Sequence, residues 1–336
     1  MDRARDDFEP EIRKFKPDIV FADNHIPPFE IHDKFVYHWH GVPLKIRPAK
    51  DLRAFHRHLG RLIGDTRKPN PRLLAQCYGR VDYEHRLNAW HLPAENCRVW
   101  GSAYSDLLLN PPYEKEDLQE HFELDLVNRK TILLSITWHF GDKVFSVLGD
   151  DDQIFKSIVD TANELDANII FSLHDRYRYS TAFINRIQKY ANQCNHAFVK
   201  YKSDHVDNLA DLIASDVMIC SFSSFIIFHY FTGKPSIHIL PIDEKKTFFS
   251  MPTMKKKKVK SIWRLNNKSL WIYPFSENGG LVPADGDELI ADLKKGLADP
   301  AYGRDRADFF IKDRVHQVDG HTCARMIADM KEWIQG

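Results

Sequence analysis

The chain has 336 residues with 43% apolar and 28% charged residues, and its lysines and arginines balance its acids at zero net charge. That is enough for two domains of ordinary size. The balance gives no electrostatic footprint for nucleic acid, and no apolar run approaches the ~20 residues needed to span a bilayer. The first residues, Met1-Asp2-Arg3-Ala4-Arg5-Asp6-Asp7, are charged and lack the apolar core of a secretory signal. The 5 cysteines are dispersed without a CxxC pair. This argues against a zinc ribbon or a dithiol motif and fits a reducing cytoplasm.

In chain order, Ile19-Val20-Phe21 and then Lys34 to Trp39 read as short strands. The second runs into Tyr37-His38-Trp39-His40-Gly41-Val42-Pro43-Leu44-Lys45, where glycine and proline end the strand abruptly. A histidine fixed at a strand end beside such a turn suits general base work, because imidazole titrates near pH ~6.5. The alternative is a loop histidine packed against Trp39. His38 with His40 and His56 with His58 are spaced like metal pairs, but no HExxH-type set accompanies them, so no metal site is expected.

Leu52, Phe55, Leu59 and Leu62 follow a helical period. Arg72 to Trp90 is ambiguous. Arg98-Val99-Trp100 reads as a strand entering Gly101-Ser102-Ala103-Tyr104-Ser105-Asp106, and Asn110-Pro111-Pro112 marks the approach to a boundary. A polar helix spans Lys115 to Glu123. Beyond it, Thr131–Ile136, Asn168–Leu173, Ala197–Val199, Asp216–Cys220 and Ser236–Leu240 are apolar runs of strand length. They alternate with helices over Asp151–Leu165, Thr181–Cys194, Asn208–Ala214 and Phe225–Phe231. This is the pattern of a parallel sheet covered on both faces. Cys323, Met326, Ile327, Met330 and Ile334 place a last helix in the tail. The division expected is 1–125, 126–305 and a tail, 306–336, packing across the domains.

In open parallel sheets, ligands bind beyond the carboxyl ends of the strands. Three such ends carry groups suited to a phosphate: Thr137, His174, and Ser223 with Ser224 where a strand gives way to a helix. One of the two serines can equally be the helix N-cap. No GxGxxG or GxxxxGK[ST] follows a strand, which disfavours a dinucleotide site or P-loop. Gly149-Asp150-Asp151-Asp152 is read as a helix start, where acids favour the dipole. Lys255, Lys256, Lys257, Lys258 and Lys260 are read first as a solvated loop, with attraction to an anionic surface as the functional alternative.

Taken together, these stretches resemble the CDP-glycerol glycerophosphotransferase family, the teichoic acid primases and polymerases. Trp39-His40-Gly41-Val42-Pro43-Leu44-Lys45 is similar to WHGTPLK, and Gly101 to Asp106 to GxPRND. Ile136-Thr137-Trp138-His139 is similar to PTWR, with His139 for arginine, and Ser172-Leu173-His174-Asp175 to KLHP. Asp216 to Pro235 is similar to DVLITDYSSxxFDxxxxxKP, with Ser221 and His229 in place of acids, and Asp319 to Arg325 to DGxxSxR.

The resemblance implies a GT-B fold, two Rossmann-like domains with parallel sheets facing a cleft. It implies His40 as the base, His174, Ser223 and Ser224 on the donor diphosphate, and Lys45, Asp106, Thr137, His139 and Ser221 near the cleft. It implies no cofactor. The partners implied are a CDP-linked donor and a lipid-linked or polymeric glycan acceptor at the inner face of the cell membrane, with the lysine run on an anionic surface. The losses at Ser221 and His229 leave two alternatives open. One is a GT-B enzyme with another nucleotide-activated donor, in capsule or lipopolysaccharide synthesis. The other is a non-catalytic nucleotide- or glycan-binding member.

Overall fold

The computed structural model describes residues 10, 14–23, 26, 34–39, 41–43, 49–136, 144–174, 179–202, 207–221, 223–239, 248–252, 259–264 and 277–336. The chain divides into two compact units. The first is built from 1–43, 47–106 and 312–336, and the second from 44–46 and 107–311.

The first unit holds a parallel sheet of four strands in the order β1 (Val20–Asp23), β2 (Phe35–His38), β3 (Leu73–Cys77) and β4 (Cys97–Val99). Successive side chains of a strand point to opposite faces, and each face of this sheet has its own core. Phe35, Tyr37, Leu73, Ala75 and Cys77 pack with Phe55, Leu59, Leu62 and Ile63 of helix α1 (Ala49–Ile63). Val36 and Leu74 point the other way and pack with Trp100 and with Met326 and Met330 of the last helix. Between β3 and β4 lies α2 (Arg80–Asn88), and α3 (Ala103–Leu109) follows β4. The ambiguous stretch 72–90 is therefore a strand followed by a helix. All five residues of β3 are buried, so it shows no alternation to read.

The second unit opens with α4 (Lys115–Phe122) and holds a five-stranded parallel sheet in the order β7-β6-β5-β8-β9. Its strands are β5 (Thr131–Ile136), β6 (Asn168–Leu173), β7 (Ala197–Tyr201), β8 (Val217–Ser221) and β9 (Ser236–Ile239). The connecting helices are α5 (Asp151–Glu164), α6 (Thr181–Ala191), α7 (Leu209–Ala214) and α8 (Phe225–Tyr230). Their starts follow local chemistry. The Asp150 carboxylate caps α5 by accepting the Gln153 N–H at 2.9 Å, and Ser180 Oγ caps α6 from the Phe183 N–H at 3.0 Å. Ile132, Leu134, Phe155, Ile158, Ile169, Phe171, Phe183 and Ile187 centre one core between sheet and helices.

Strands β10 (Phe248–Pro252) and β11 (Val259–Arg264) form an antiparallel pair. Then come α9 (Gly286–Ala298), α10 (Arg304–Arg314) and α11 (Thr322–Gln335). On α11 the buried side chains are Thr322, Met326 and Met330, spaced by four. Ile327 and Ile334, counted with the apolar stripe in the sequence, are exposed. Ile327 lies about 100° around the helix from Met326, off the face that meets the sheet. No helix among the described residues is long and apolar enough to cross a membrane.

Candidate active site

In the second unit the strand order doubles back at β5, with β6 on one side and β8 on the other. In open parallel sheets, ligands bind outside the carboxyl ends of the strands on either side of such a reversal. The register Ile136↔Leu173 with Ser135↔Cys220 makes the ends of the three strands level. His174 follows β6 and Ser221 ends β8, so their backbones stand two strand spacings apart, roughly 10 Å.

Three groups singled out in the sequence therefore share this edge: His174, Ser221 and the pair Ser223-Ser224. His174 is half-buried, and its backbone N–H donates to Tyr179 Oη at 2.8 Å. Ser221 is 1% exposed. Ser223 and Ser224 are half-buried at the start of α8. Ser223 Oγ accepts the Phe225 N–H at 3.3 Å, and the Ser223 carbonyl accepts the Ile226 N–H at 3.2 Å. Ser224 is the residue before the helix, and its hydroxyl makes no capping bond. Of the two serines, it is thus Ser223 whose hydroxyl serves the helix backbone. Thr137 and His139 lie outside the described residues.

His229, the second position where an acid is missing, is wholly buried in α8, with its Nδ1 2.7 Å from Ser236 Oγ. Burial, helped by the charge of Lys234, holds this imidazole well below its usual range, so it is neutral. Lys234 itself is lowered to about 8, chiefly by burial. Its Nζ donates to the carbonyls of Ile213 at 3.1 Å and Ser215 at 2.6 Å, closing the C-terminal end of α7.

In the first unit, the end of β2 is anchored by a buried cation among aromatic rings. The Arg86 guanidinium lies 4.1 Å from the Trp90 ring centroid and 5.6 Å from that of Trp39. Its Nε is 3.3 Å from Asp82 Oδ1, and both side chains are 1% exposed. Asp82 Oδ2 accepts the Tyr78 N–H at 3.0 Å, while Tyr78 Oη donates to the Trp39 carbonyl. The backbone is thus held one residue before position 40. His38 is lowered to about 4 by burial and then by the Arg86 charge. His40 and Lys45 lie outside the described residues.

Asp106 has a definite partner. Its two carboxylate oxygens accept the N–H groups of Thr322 at 3.0 Å and Cys323 at 2.7 Å, the first two residues of α11. His56, one of the spaced histidines, is buried between Thr66 Oγ1 at 2.7 Å and the Trp90 carbonyl at 2.6 Å. The aspartates at the start of α5 are taken up within the fold: Asp152 Oδ1 accepts the Tyr190 hydroxyl at 2.9 Å, and Arg186 pairs with Asp151 and Asp152. Asp151 accepts the N–H groups of Val144 and Phe145, each at 2.8 Å. No group of three or more metal-ligating side chains occurs among the described residues.

Two residues of these strand ends escaped the sequence reading. Arg86 sits on a polar helix with no motif around it, and Tyr179 lies in a run of charged and aromatic residues. Arg86 has an Asp82 partner four residues away on its own helix, but its contact with Trp39, like that of Tyr179 with Ile136, joins distant parts of the chain and leaves no local signal.

No family model matches the chain, and neither does any curated sequence. Solved structures do. The wall teichoic acid polymerase TagF, as a histidine-to-asparagine variant soaked with CDPG, matches with a TM-score of 0.64 over 95% of this chain and 72% of that one, at 18% identity. Another TagF structure gives 0.61 over 90% and 68%, also at 18% identity. A structure from Listeria monocytogenes named for UDP-N-acetylglucosamine 2-epimerase gives 0.53 over 97% and 78%, at 13% identity. With two parallel α/β units and these neighbours, the fold is GT-B-like.

Proposed function

We propose that the protein is a transferase that moves a glycerol-phosphate, or a similar polyol-phosphate, from a CDP-linked donor to a hydroxyl of a cell-surface glycan or lipid-linked acceptor. The observation that carries this reading is the gathering of His174, Ser221 and Ser223-Ser224 at the reversal point of one parallel sheet. The likeness to TagF, whose structure was soaked with CDPG, supports it. So does the Trp39 to Lys45 motif.

In this mechanism His40 takes the proton from the acceptor hydroxyl. The oxygen attacks the glycerol-bearing phosphorus, the bond from that phosphorus to the bridging oxygen breaks, and CMP leaves with the electron pair. His174, Ser223 and Ser224 hold the diphosphate and stabilise the charge that grows on it. Lys45, Asp106, Thr137, His139 and Ser221 belong to the surroundings of the reacting groups, Asp106 by fixing α11. The lysine run, Lys255 to Lys258 with Lys260, draws the enzyme to anionic headgroups at the inner membrane face.

A calorimetric panel of CDP-glycerol, CDP-ribitol and UDP-sugars, followed by a CMP-release assay, tests the proposal. CDP-linked binding with acceptor-dependent CMP release supports it. Binding of UDP-sugars alone, or of no nucleotide, ends it. His40→Ala is expected to abolish release and keep donor affinity.

A second reading, another nucleotide-activated donor, has one observation in its favour. Ser221 and His229 put a buried hydroxyl and a buried neutral imidazole where the resembled motif has acids. The same panel separates the two.

A further inference from the structure

The hydroxyl of Tyr179 connects two strand ends. It accepts the backbone N–H of His174 at 2.8 Å and donates to the carbonyl of Ile136 at 3.0 Å. Ile136 is the last residue of β5, and His174 is the first after β6. The direct register of these strands ends at Ile136↔Leu173, so the hydroxyl continues the pairing one position further. The direction of both bonds is fixed, because an amide N–H only donates and a carbonyl only accepts.

The ring that carries this hydroxyl is held in place. It stacks on Phe183 with centroids 5.1 Å apart and planes 16° apart, and it packs against the core of the second unit. Phe183 is fully buried in the first turn of α6, whose start Ser180 caps. The hydroxyl is therefore tied to a rigid helix and spans the two strands at which the ligand-binding edge opens.

We propose that Tyr179 is a positioning residue for the donor site: by clasping the His174 amide to the end of β5, it sets the direction of the imidazole toward the diphosphate of a nucleotide-linked donor. This rests on the reading of His174 as a diphosphate ligand. A tyrosine with only a packing role would owe its contribution to its ring. A positioning tyrosine owes it to the hydroxyl.

Tyr179→Phe separates the two roles, since it keeps the ring on Phe183 and removes only the hydroxyl. CDP-glycerol affinity is measured by calorimetry for the native protein, Tyr179→Phe, His174→Ala and the double variant. The expected result is a loss of about tenfold in Tyr179→Phe at nearly unchanged Tm, but under about twofold when the same change is made in His174→Ala. Native affinity in Tyr179→Phe, or an equal loss in both backgrounds, overturns the proposal. Amide hydrogen exchange at His174 is read without ligand. Exchange at least about tenfold faster in Tyr179→Phe supports the clasp, and unchanged exchange overturns it. If the native protein binds no CDP-linked donor, the reading of the site falls, and the exchange result alone decides the clasp.

Discussion

Asp106 and Thr322 stand 216 positions apart in the chain, yet the carboxylate of one accepts the backbone N–H of the other at 3.0 Å, with Cys323 bound beside it at 2.7 Å. The first N–H groups of a helix have no partner within it, and they carry the positive end of its dipole. Asp106 supplies a charged acceptor from outside the helix and so fixes where α11 begins. From there Met326 and Met330 reach the sheet face made by Val36 and Leu74. The two motifs around residues 106 and 319–325 are thus halves of one joint within the first unit.

Asp106→Ala is expected to destabilise the first unit by about 1–2 kcal/mol, the usual scale for a lost helix cap, with Asp106→Asn losing less. Burial pushes this carboxyl up, but the N–H groups of Cys323 and Thr322 outweigh it, so it titrates below the usual carboxylate range. A depressed acid stabilises the fold above its unfolded pKa, and that contribution is lost as pH falls through the folded value. Thermal melts between pH 7 and 2 should therefore show a shallower decline below about pH 4 in Asp106→Ala than in the native protein.

His38 produces a pH effect in a different window. Its imidazole is lowered from 6.5 to about 4 by burial and by the Arg86 charge. The folded state thus favours the neutral ring. Stability from this source is complete above pH ~6.5 and declines as pH falls from there toward ~4, because the unfolded chain takes up the proton first. Urea denaturation of His38→Gln should show a flatter stability profile across that interval. A profile of native slope would mean that other buried histidines, such as His238, carry the whole effect.

Lys200 and Asp211 form a buried ion pair beneath the C-terminal edge of the second sheet, with exposures of 1% and 0%. Ser172 Oγ donates to the second carboxylate oxygen at 2.6 Å, and Lys200 Nζ also reaches the Asp207 carbonyl. Lys200→Met leaves a buried carboxylate without its counter-ion and should cost about 3–5 kcal/mol. The double change Lys200→Met with Asp211→Leu should cost clearly less than the sum of the single losses. Denaturant titration of the three variants checks this, and simple additivity would argue against coupling.

The two serines should behave differently. Ser223→Ala removes the acceptor for the Phe225 N–H, so it should lower Tm by a few degrees, a loss on the order of 1 kcal/mol. Ser224, whose hydroxyl makes no capping bond, should leave Tm unchanged when replaced by alanine and weaken nucleotide binding by about tenfold. Thermal melts with calorimetry on the same samples give both readouts. A Tm loss at Ser224 without loss of affinity would assign it to the helix and not to the ligand.

Gly79 tests the packing of the first unit directly. A Cβ built there would lie 2.2 Å from the Arg314 carbonyl oxygen, too close for any side chain unless the backbone moves. Its φ of −166° is ordinary extended backbone, so the constraint is space. Gly79→Ala should cost about 1–3 kcal/mol by overpacking.

The lengths of β5 and β6 and the polar groups at their carboxyl ends were determined by sequence alone. Buried parallel strands are unbroken apolar runs, and the residues that end them are polar or break the backbone. The same local logic located Ser223-Ser224 and the acids before α5. Strand β3 was not legible: Leu73 to Cys77 are buried on both faces and include Gln76, whose amide donates to the Gly101 carbonyl at 2.7 Å. A polar residue whose amide N–H finds its acceptor 25 positions away gives no periodic signal. Tertiary structure alone decided the strand order that brings the end of β6, just before His174, level with Ser221, the Tyr179 bridge, the Arg86 knot and the Asp106 cap. Periodicity and capping act over one turn or one pleat, whereas the contacts of Arg86 with Trp39, Tyr179 with Ile136 and Asp106 with Thr322 join residues whose sequence neighbours carry no trace of the partner. Their positions follow only once burial within each unit has brought its own strand and helix ends together.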